Sequence, residues 1–495
     1  MKIVSYKIET IVLAVISIIA FCGFYYIAGL SPGVEGGMDS YNHYLIARFS
    51  WIHPKELLLD QWGKPLYNIL ASPFAQFGMM GVIVFNILLL VGTAWMAYFT
   101  ARKLNFNFAW LAWVFCFASP IWFDNTITGL TEPLNAFLLL VVVYLFVSNR
   151  VITASVIAGF LPFARSEGYV IISVIGFYLL FVHRNYKAFG LLLVGSIVMN
   201  FVGWMVEGNP LWIYDTNPYI KYQIESTIKK ENICGSGELL HYVKALPYVM
   251  GKTRLSFFVM GLAIILYQYI RKPGEAVYRN AFYLFAGIYA LYFVVHSLIW
   301  YKGAMGSCGY ARVLVVIEPL AALIIAMSAE VIFSWLTKII RGWKQQFVWL
   351  LVLLIAGYAL YEPIKIYGHK YPIDISDEQK LFVEAADWYN QQDYDDRMKY
   401  FLYPYFNILT DIDPKDTDHF IEMWSFDHRY APIGSIVIWD GHFGPNEGNV
   451  PLELLQEHPD FVEIKSFYPS QAFKTLNDYN FEIHVFERTG DSMLE

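Results

Sequence analysis

Charge is scarce in this chain of 495 residues: 16% of positions are Asp, Glu, Lys or Arg, against about 25% in ordinary soluble domains. With 57% of residues hydrophobic and 18% aromatic, a soluble protein of this length is excluded and a chain dissolved largely in lipid is expected. Cysteine is scarce too. The four, at 22, 116, 234 and 308, show no C-x-x-C spacing and lie mostly in or beside apolar stretches, so neither a zinc site nor a disulfide framework is expected. No N-x-S/T sequon occurs, which disfavours a secretory pathway that glycosylates asparagine. There is no Walker-type phosphate loop, no internal repeat and no low-complexity segment.

The charge that is present is divided. Residues 1–361 hold 25 Lys and Arg and 16 Asp and Glu, whereas residues 362–495 hold 10 and 26, for nets of +9 and −16. An acidic half of this kind repels nucleic acid, and the cations of the basic half belong to loops flanking apolar spans, so no nucleic-acid partner is expected.

Crossing a hydrocarbon core of ~30 Å takes about 20 apolar residues in a helix. The first run of that length is Ile8 to Leu30, with no small-residue cleavage site after it, and it reads as a retained anchor. Further runs lie near 80–101, 107–122, 131–148, 151–164, 168–182, 188–206, 255–270, 281–300, 312–333 and 346–361. The fold class expected is mainly α: a polytopic bundle of about eleven transmembrane helices over 1–361, then a small soluble α/β domain over 362–495. Cytoplasmic loops retain positive charge during insertion. Lys2, Lys7, Arg102, Lys103, Arg150, Arg184, Lys187, Arg271, Lys272, Arg279, Lys338, Arg341 and Lys344 fall on one side under eleven spans, which puts the amino terminus inside. The external side then receives loops 31–79 and 207–254, the links 123–130, 165–167 and 301–311, and everything after Tyr361.

In the tail, Phe382, Ala385, Ala386 and Tyr389 recur at helical spacing, while 435–439, 461–467 and 481–486 read as strands, with a short helix at 452–457.

Loop 31–79 is the most informative stretch. Glu35 and Asp39 stand among Gly33, Gly36 and Gly37, glycines that let backbone approach a ligand closely. Asp39 to Arg48 reads as a helix with Asp39 at or near its N-cap and with Tyr41, Tyr44, Leu45 and the Arg48 stem lying on the membrane surface. On these residues alone a helix cap is as good an account of Asp39 as chemistry. Three more charged features open at external span ends: Thr131-Glu132-Pro133, Arg165-Ser166-Glu167-Gly168, and Arg312. A charge at the bilayer centre is unfavourable by about 2.5–3.5 kcal/mol on insertion scales and by less at the interface, so it persists for a partner or a function. Singly, each reads as a snorkelling or capping residue; together, on the side of Asp39, they suggest a site. Trp51, Trp62, Trp122, Trp212 and Tyr214 read first as interfacial belt residues, although sugars stack on such rings as well.

This pattern resembles the GT-C superfamily of membrane glycosyltransferases, mannosyltransferases among them, which take a sugar from a polyprenyl-phosphate carrier and attach it outside the cytoplasm. Asp39 is similar to the family's loop acid, with Glu35 as a second acid in place of the family's adjacent pair. Lys64-Pro65-Leu66-Tyr67 with Pro73 resembles its second surface helix, Arg165-Ser166-Glu167-Gly168 its R-x-E-G motif, and Gly309-Tyr310-Ala311-Arg312-Val313-Leu314 with Pro319 the segment that aims an arginine at the carrier phosphate. The W-W-D motif of protein N-glycosylating transferases is absent from the tail.

The resemblance implies sugar transfer from a polyprenyl-phosphate donor to an acceptor hydroxyl on a glycan, lipid or protein at the external face. A carboxylate suits the proton of that hydroxyl, and guanidinium suits the departing phosphate. Asp39 is the expected base. Arg312 is the first choice for the phosphate, with Arg165, Lys302 and Tyr310 beside it. His43, Lys64, Glu132 and Glu167 are expected to contact substrate. A single displacement would invert the anomeric centre, and no cofactor or metal is expected. Membrane lipids are partners, and a bacterial inner membrane with a periplasmic tail is the expected setting. A lipid or glycan transporter, a flippase or a polymerase-like membrane protein is the alternative class, although transporters usually hold their ionisable residues near the midplane.

Overall fold

The computed structural model describes residues 2–220, 234–340 and 342–490. Two sequence readings fall partly outside them: residues 221–233 of loop 207–254, and Arg341.

Among the described residues, seven helices are long and apolar enough to cross a membrane: Lys7–Leu30, Gly78–Lys103, Tyr186–Glu207, Lys252–Arg271, Ala276–Lys302, Glu318–Ile339 and Gln345–Lys370. The remaining four of the eleven expected runs form shorter apolar helices. Glu132–Val147, Val151–Ala164 and Gly168–Val182 are three of them, and 107–122 is divided into Trp110–Phe117 and Pro120–Asp124. The divisions have local causes. Pro120 cannot continue the helix that ends at Phe117, and Gly159 with Pro162 separates Val151–Ala158 from Leu161–Ala164.

Helix Glu318–Ile339 is central, for every residue from Glu318 to Ala329 is buried. The first helix is peripheral: Ile8, Ile11, Ile18 and Ile19 face outward, as residues meeting lipid do, while its Ser17 accepts a hydrogen bond from Trp95 Nε1 at 3.1 Å. Three acids inside the later spans are held, Glu362 by the Lys252 and Thr253 amides at 3.0 and 3.1 Å. Glu318 pairs with the fully buried Arg254 at 2.6 Å and accepts from Ser119 at 2.9 Å. Glu330 accepts from Asn107 at 2.7 Å and from the Phe108 amide at 3.0 Å.

The tail is a five-stranded sheet with helices against it. Its strands are β1 (Lys399–Phe401), β2 (Phe420–Glu422), β3 (Ile436–Asp440), β4 (Phe461–Phe467) and β5 (Ile483–Arg488), in the order β2-β1-β3-β5-β4. Strand β1 runs parallel to β2 and β3, and β5 antiparallel to β3 and β4. Helix Asp377–Tyr389 starts with a capping box between Ser376 and Gln379 and buries Leu381, Phe382, Ala385, Ala386 and Tyr389. The last long helix continues past 361 to Tyr367.

Cysteine chemistry needs a correction. Cys234 and Cys308 form a disulfide across 74 positions, with Cα atoms 5.0 Å apart. It ties loop 207–254 to the link before Arg312. Neither residue stands in a recognisable spacing, so sequence offered no signal for it. Two belt assignments also change: Trp122 and Trp212 are fully buried, whereas Trp51 and Tyr214 are exposed.

Candidate active site

Helix Gly37–Phe49 begins after Gly36, whose φ of 86° places it in the left-handed region; a Cβ there would meet Ser40 Oγ at 2.5 Å and Leu130 at 2.9 Å. Ser40 then fastens the turn, donating to the Glu35 carbonyl at 2.6 Å and accepting from the Gly129 amide at 3.1 Å. The helix does not lie free on a membrane surface. Met38 and Tyr41 join the tail core, where the Tyr41 ring packs on Tyr405 with centroids 4.9 Å apart and its hydroxyl accepts from Gln379 at 2.7 Å.

Asp39 is the third residue of this helix and makes no capping bond. Its Oδ2 pairs directly with Arg312 Nη2. Arg312 sits at the start of a 3-10 turn, Ala311–Val316, with the Tyr310 ring 4.7 Å from its guanidinium carbon. Its other nitrogens reach the Gly36 carbonyl at 3.4 Å and Glu132 Oε1 at 3.7 Å. Glu132 opens helix Glu132–Val147 and is 1% exposed. The same oxygen receives Arg165 Nη1 at 2.9 Å, and Arg165 Nη2 reaches Glu167 at 2.6 Å. The result is an alternating row, Asp39, Arg312, Glu132, Arg165, Glu167, drawn from four separated segments. Thr131 adds a hydroxyl acceptor for Arg165 at 3.0 Å.

The row is electrostatically self-consistent. Burial alone pushes the Glu167 carboxyl up, but Arg165, aided by His296, outweighs it and holds the group at about 2. Burial pulls Arg165 down, and Glu132 and Glu167 together hold it well above its ordinary value. Such mutual neutralisation is what allows charges to stay out of water. The row is most open at the Asp39 end: the Asp39 side chain is 39% exposed, against 20% for Glu167 at the other end and 2% for Glu132 between them.

His43 lies one helical turn after Asp39 and is buried, its ring stacked on Trp62 at 4.7 Å. Burial first, then the charges of Lys64, Arg165 and Arg312, push its imidazole well below the ordinary range. Three cations therefore surround one neutral ring. Lys64 has φ 70°, precedes Pro65 at the start of helix Pro65–Ala75, and donates to the Gln61 and Trp62 carbonyls and to the Tyr219 hydroxyl at 3.0, 2.7 and 3.1 Å. Two buried polar atoms here, His43 Nδ1 and Glu132 Oε2, have no hydrogen-bond partner among the described residues.

Glu35 is not part of the row. It pairs with Lys370 at 2.9 Å, and Lys370 pairs with Asp124 at 2.8 Å, so it fastens the first loop to the end of the last helix. Lys302 is exposed at its helix end, with no ion pair to the row among the described residues. Among those residues no group of three or more His, Cys, Asp or Glu is placed to hold a metal ion.

Sequence reading missed the partners supplied by the tail. Arg48 pairs with Asp411 at 2.5 Å and His53 with Asp413 at 2.8 Å. Nothing local marks these acids among the many in 362–495.

No family model and no curated protein matches the chain. Among solved structures, it is similar to ArnT from Cupriavidus metallidurans bound to undecaprenyl phosphate: 11% identity, TM-score 0.60, covering 96% of this chain and 97% of that one. The apo state of the same protein aligns with TM-score 0.59 at 10% identity, covering 97% of this chain and 98% of that one. At such identities the likeness speaks for the fold alone: this chain has an ArnT-like fold over nearly its whole length.

Proposed function

We propose that the protein is a multi-pass membrane glycosyltransferase that moves a sugar from a polyprenyl-phosphate carrier to an acceptor hydroxyl on the external face. One observation carries this reading. In a fold shared with a protein crystallised with undecaprenyl phosphate, the exposed carboxylate of Asp39 is met by Arg312 at the end of a buried charge row.

In this reading the acceptor hydroxyl gives its proton to Asp39 as its oxygen attacks the anomeric carbon. The bond from that carbon to the phosphate oxygen breaks, and its electron pair leaves on the lipid phosphate. Arg312 already spans three acceptors, so it can turn part of its planar fork to phosphate oxygens while Glu132 keeps it in place. Lys64 adds a second charge to that side, and Arg165, committed to Glu132 and Glu167, orients the row. A single displacement inverts the sugar carbon. The positive-inside pattern supports a tail and site that lie together outside the cytoplasm, with the four short helices crossing. A disulfide between two of the loops assigned to that side agrees with an oxidising compartment such as the periplasm.

Asp39→Asn tests the reading. It preserves size and removes the proton acceptor, so transfer, measured as polyprenyl phosphate released from synthetic polyprenyl-phosphate sugars, should fall by about 10²-fold or more. Binding of undecaprenyl phosphate should persist. Transfer at the parent rate would remove Asp39 from the chemistry.

A further inference from the structure

The turn that carries Arg312 is held near both of its ends by segments far away in the chain. Near its start, Arg312 Nη1 donates to the Gly36 carbonyl at 3.4 Å. Near its end, the Val315 carbonyl accepts from Trp122 Nε1 at 3.1 Å. Gly36 follows Glu35, and Trp122 stands two residues before Asp124 in the short helix Pro120–Asp124. Those two acids meet on one group. The Lys370 ammonium lies 2.9 Å from Glu35 and 2.8 Å from Asp124.

This triad is not an ordinary surface pair. The Glu35, Asp124 and Lys370 side chains are 30%, 13% and 33% exposed, so salt and water screen them only in part. Two carboxylates within reach of one ammonium face each other closely, and that cation offsets their repulsion. Backbone bonds pass the arrangement on. The Glu35 amide donates to the Ile127 carbonyl at 3.1 Å, and the Glu35 carbonyl accepts from Ser40 Oγ at 2.6 Å, so a shift of Glu35 carries Gly36 and the start of the Asp39 helix with it. On the other arm, Trp122 is 1% exposed, and a shift of its helix reaches Val315. The chain after Lys370, which leads into the tail, is sewn to the same two segments. Tyr371 Oη donates to the Phe123 carbonyl at 2.8 Å, the Ile373 amide to Ser31 Oγ at 2.9 Å, and the Gly33 amide to the Ile373 carbonyl at 3.0 Å.

Resting on the transferase reading above, we propose that Lys370 is a positioning residue for carrier recognition: by holding Glu35 and Asp124 together it fixes the Arg312 turn from two sides, and so sets the guanidinium that meets the lipid phosphate. Glu35 then serves the placement of Arg312 rather than the proton of the acceptor. Guanidinium binds phosphate through a planar fork, and such bonds weaken steeply with misalignment. Phosphate is present before and during transfer, so the loss falls on carrier affinity first.

The test uses the full chain in detergent and reads two quantities: the Kd for undecaprenyl phosphate, and polyprenyl phosphate released from synthetic polyprenyl-phosphate sugars. Lys370→Met keeps the stem and removes the charge; it should raise that Kd and the donor KM about tenfold, with kcat changed less. Lys370→Arg, whose fork can bridge two carboxylates, should restore most of the affinity. Asp124→Asn keeps its shape and should raise the Kd about threefold, which carries the test if Lys370→Met does not fold. In an Arg312→Lys background, Lys370→Met should add little, because its effect passes through a group already altered.

An unchanged Kd in Lys370→Met and Asp124→Asn would overturn the inference and leave the transferase reading standing. So would a loss that Lys370→Arg does not restore, or one that adds in full to the loss in Arg312→Lys, since either marks a structural role. A parent protein that binds undecaprenyl phosphate yet releases none from any donor would overturn the transferase reading, while the shifts in Kd would still decide the role of Lys370.

Discussion

Along the charge row and the central helix of the body, carboxylates are answered by guanidinium groups; at the end of β3 in the tail, by backbone amides and a histidine. Glu132, Glu167 and Glu318 each face an arginine, whereas Asp440 faces two amides, with His442 beside it. The difference follows from the surroundings. A charge at membrane depth cannot borrow water, and a full opposite charge is its strongest compensation, as Arg254 is for Glu318. A folded domain in water can bury a lone acid by letting it hold its proton. Helix Gly37–Phe49 joins the two regimes, with Tyr41 in the tail core and Asp39 on the arginine row.

The comparison breaks most forcefully at Arg165. Arg165→Met fills similar space but leaves Glu167 without its cation and the buried Glu132 with only the more distant Arg312, a loss of about 3–5 kcal/mol for a broken buried pair. An unfolding titration in detergent should show it, and adding Glu167→Gln should recover part. If Arg165→Met were as stable as the parent, the row would be ornamental and the body's charges dispensable.

Acid titration sharpens the same contrast. Glu167 is held at about 2, below its ordinary 4.5. Its contribution is present above pH 4.5 and lost as pH falls from there through 2. Asp440 is raised by burial to about 6 from an ordinary 3.8, against the pull of the Phe443 and His442 amides. Its contribution runs oppositely, present below pH 3.8 and lost as pH rises through 6. Asp440→Asn keeps an oxygen for the two amides and removes the titration. At pH 7 the variant tail should gain on the order of 2–3 kcal/mol over the parent, and near pH 4 the two should match. Equal stability at both pH values would mean that Asp440 is not the buried acid described.

Much of this was legible in the sequence, for reasons that also mark the limit. Apolar runs located the spans, because lipid leaves a helix no other way to satisfy its backbone. Strand β4 was read at the bounds it has, Phe461–Phe467. Strands β1 and β2 were not, since three residues are too few for an alternation to register. Asp39, Glu132, Arg165, Glu167 and Arg312 stood out because charge is rare beside apolar runs. Lys370 and the Cys234–Cys308 bond did not, because each acquires its meaning from a partner far away in the chain, 74 positions for the disulfide and more for Lys370 with Glu35. The proline and glycine that divide 107–122 and 151–164 were present to be read, and composition masked them.

The smallest effect expected is at the seam between the two regions. Arg48, in the last turn of the Asp39 helix, pairs with Asp411 of the tail at 2.5 Å, and the Asp411 side chain is 71% exposed. An exposed pair contributes about 0–1 kcal/mol, since water screens it and two long side chains must be held in one geometry. Arg48→Ala should therefore change stability little and leave transfer close to the parent rate. The tail remains seated through Tyr41, which Gln379 and Tyr405 hold in a buried contact. Tyr41→Ala should do what Arg48→Ala does not, exposing protease sites in the tail. A large loss of transfer in Arg48→Ala, with Tyr41→Ala silent, would show that ion pairs rather than apolar packing seat the tail against Asp39. The contrast between a body stabilised by paired charges and a tail stabilised by its core would then fail where the two meet.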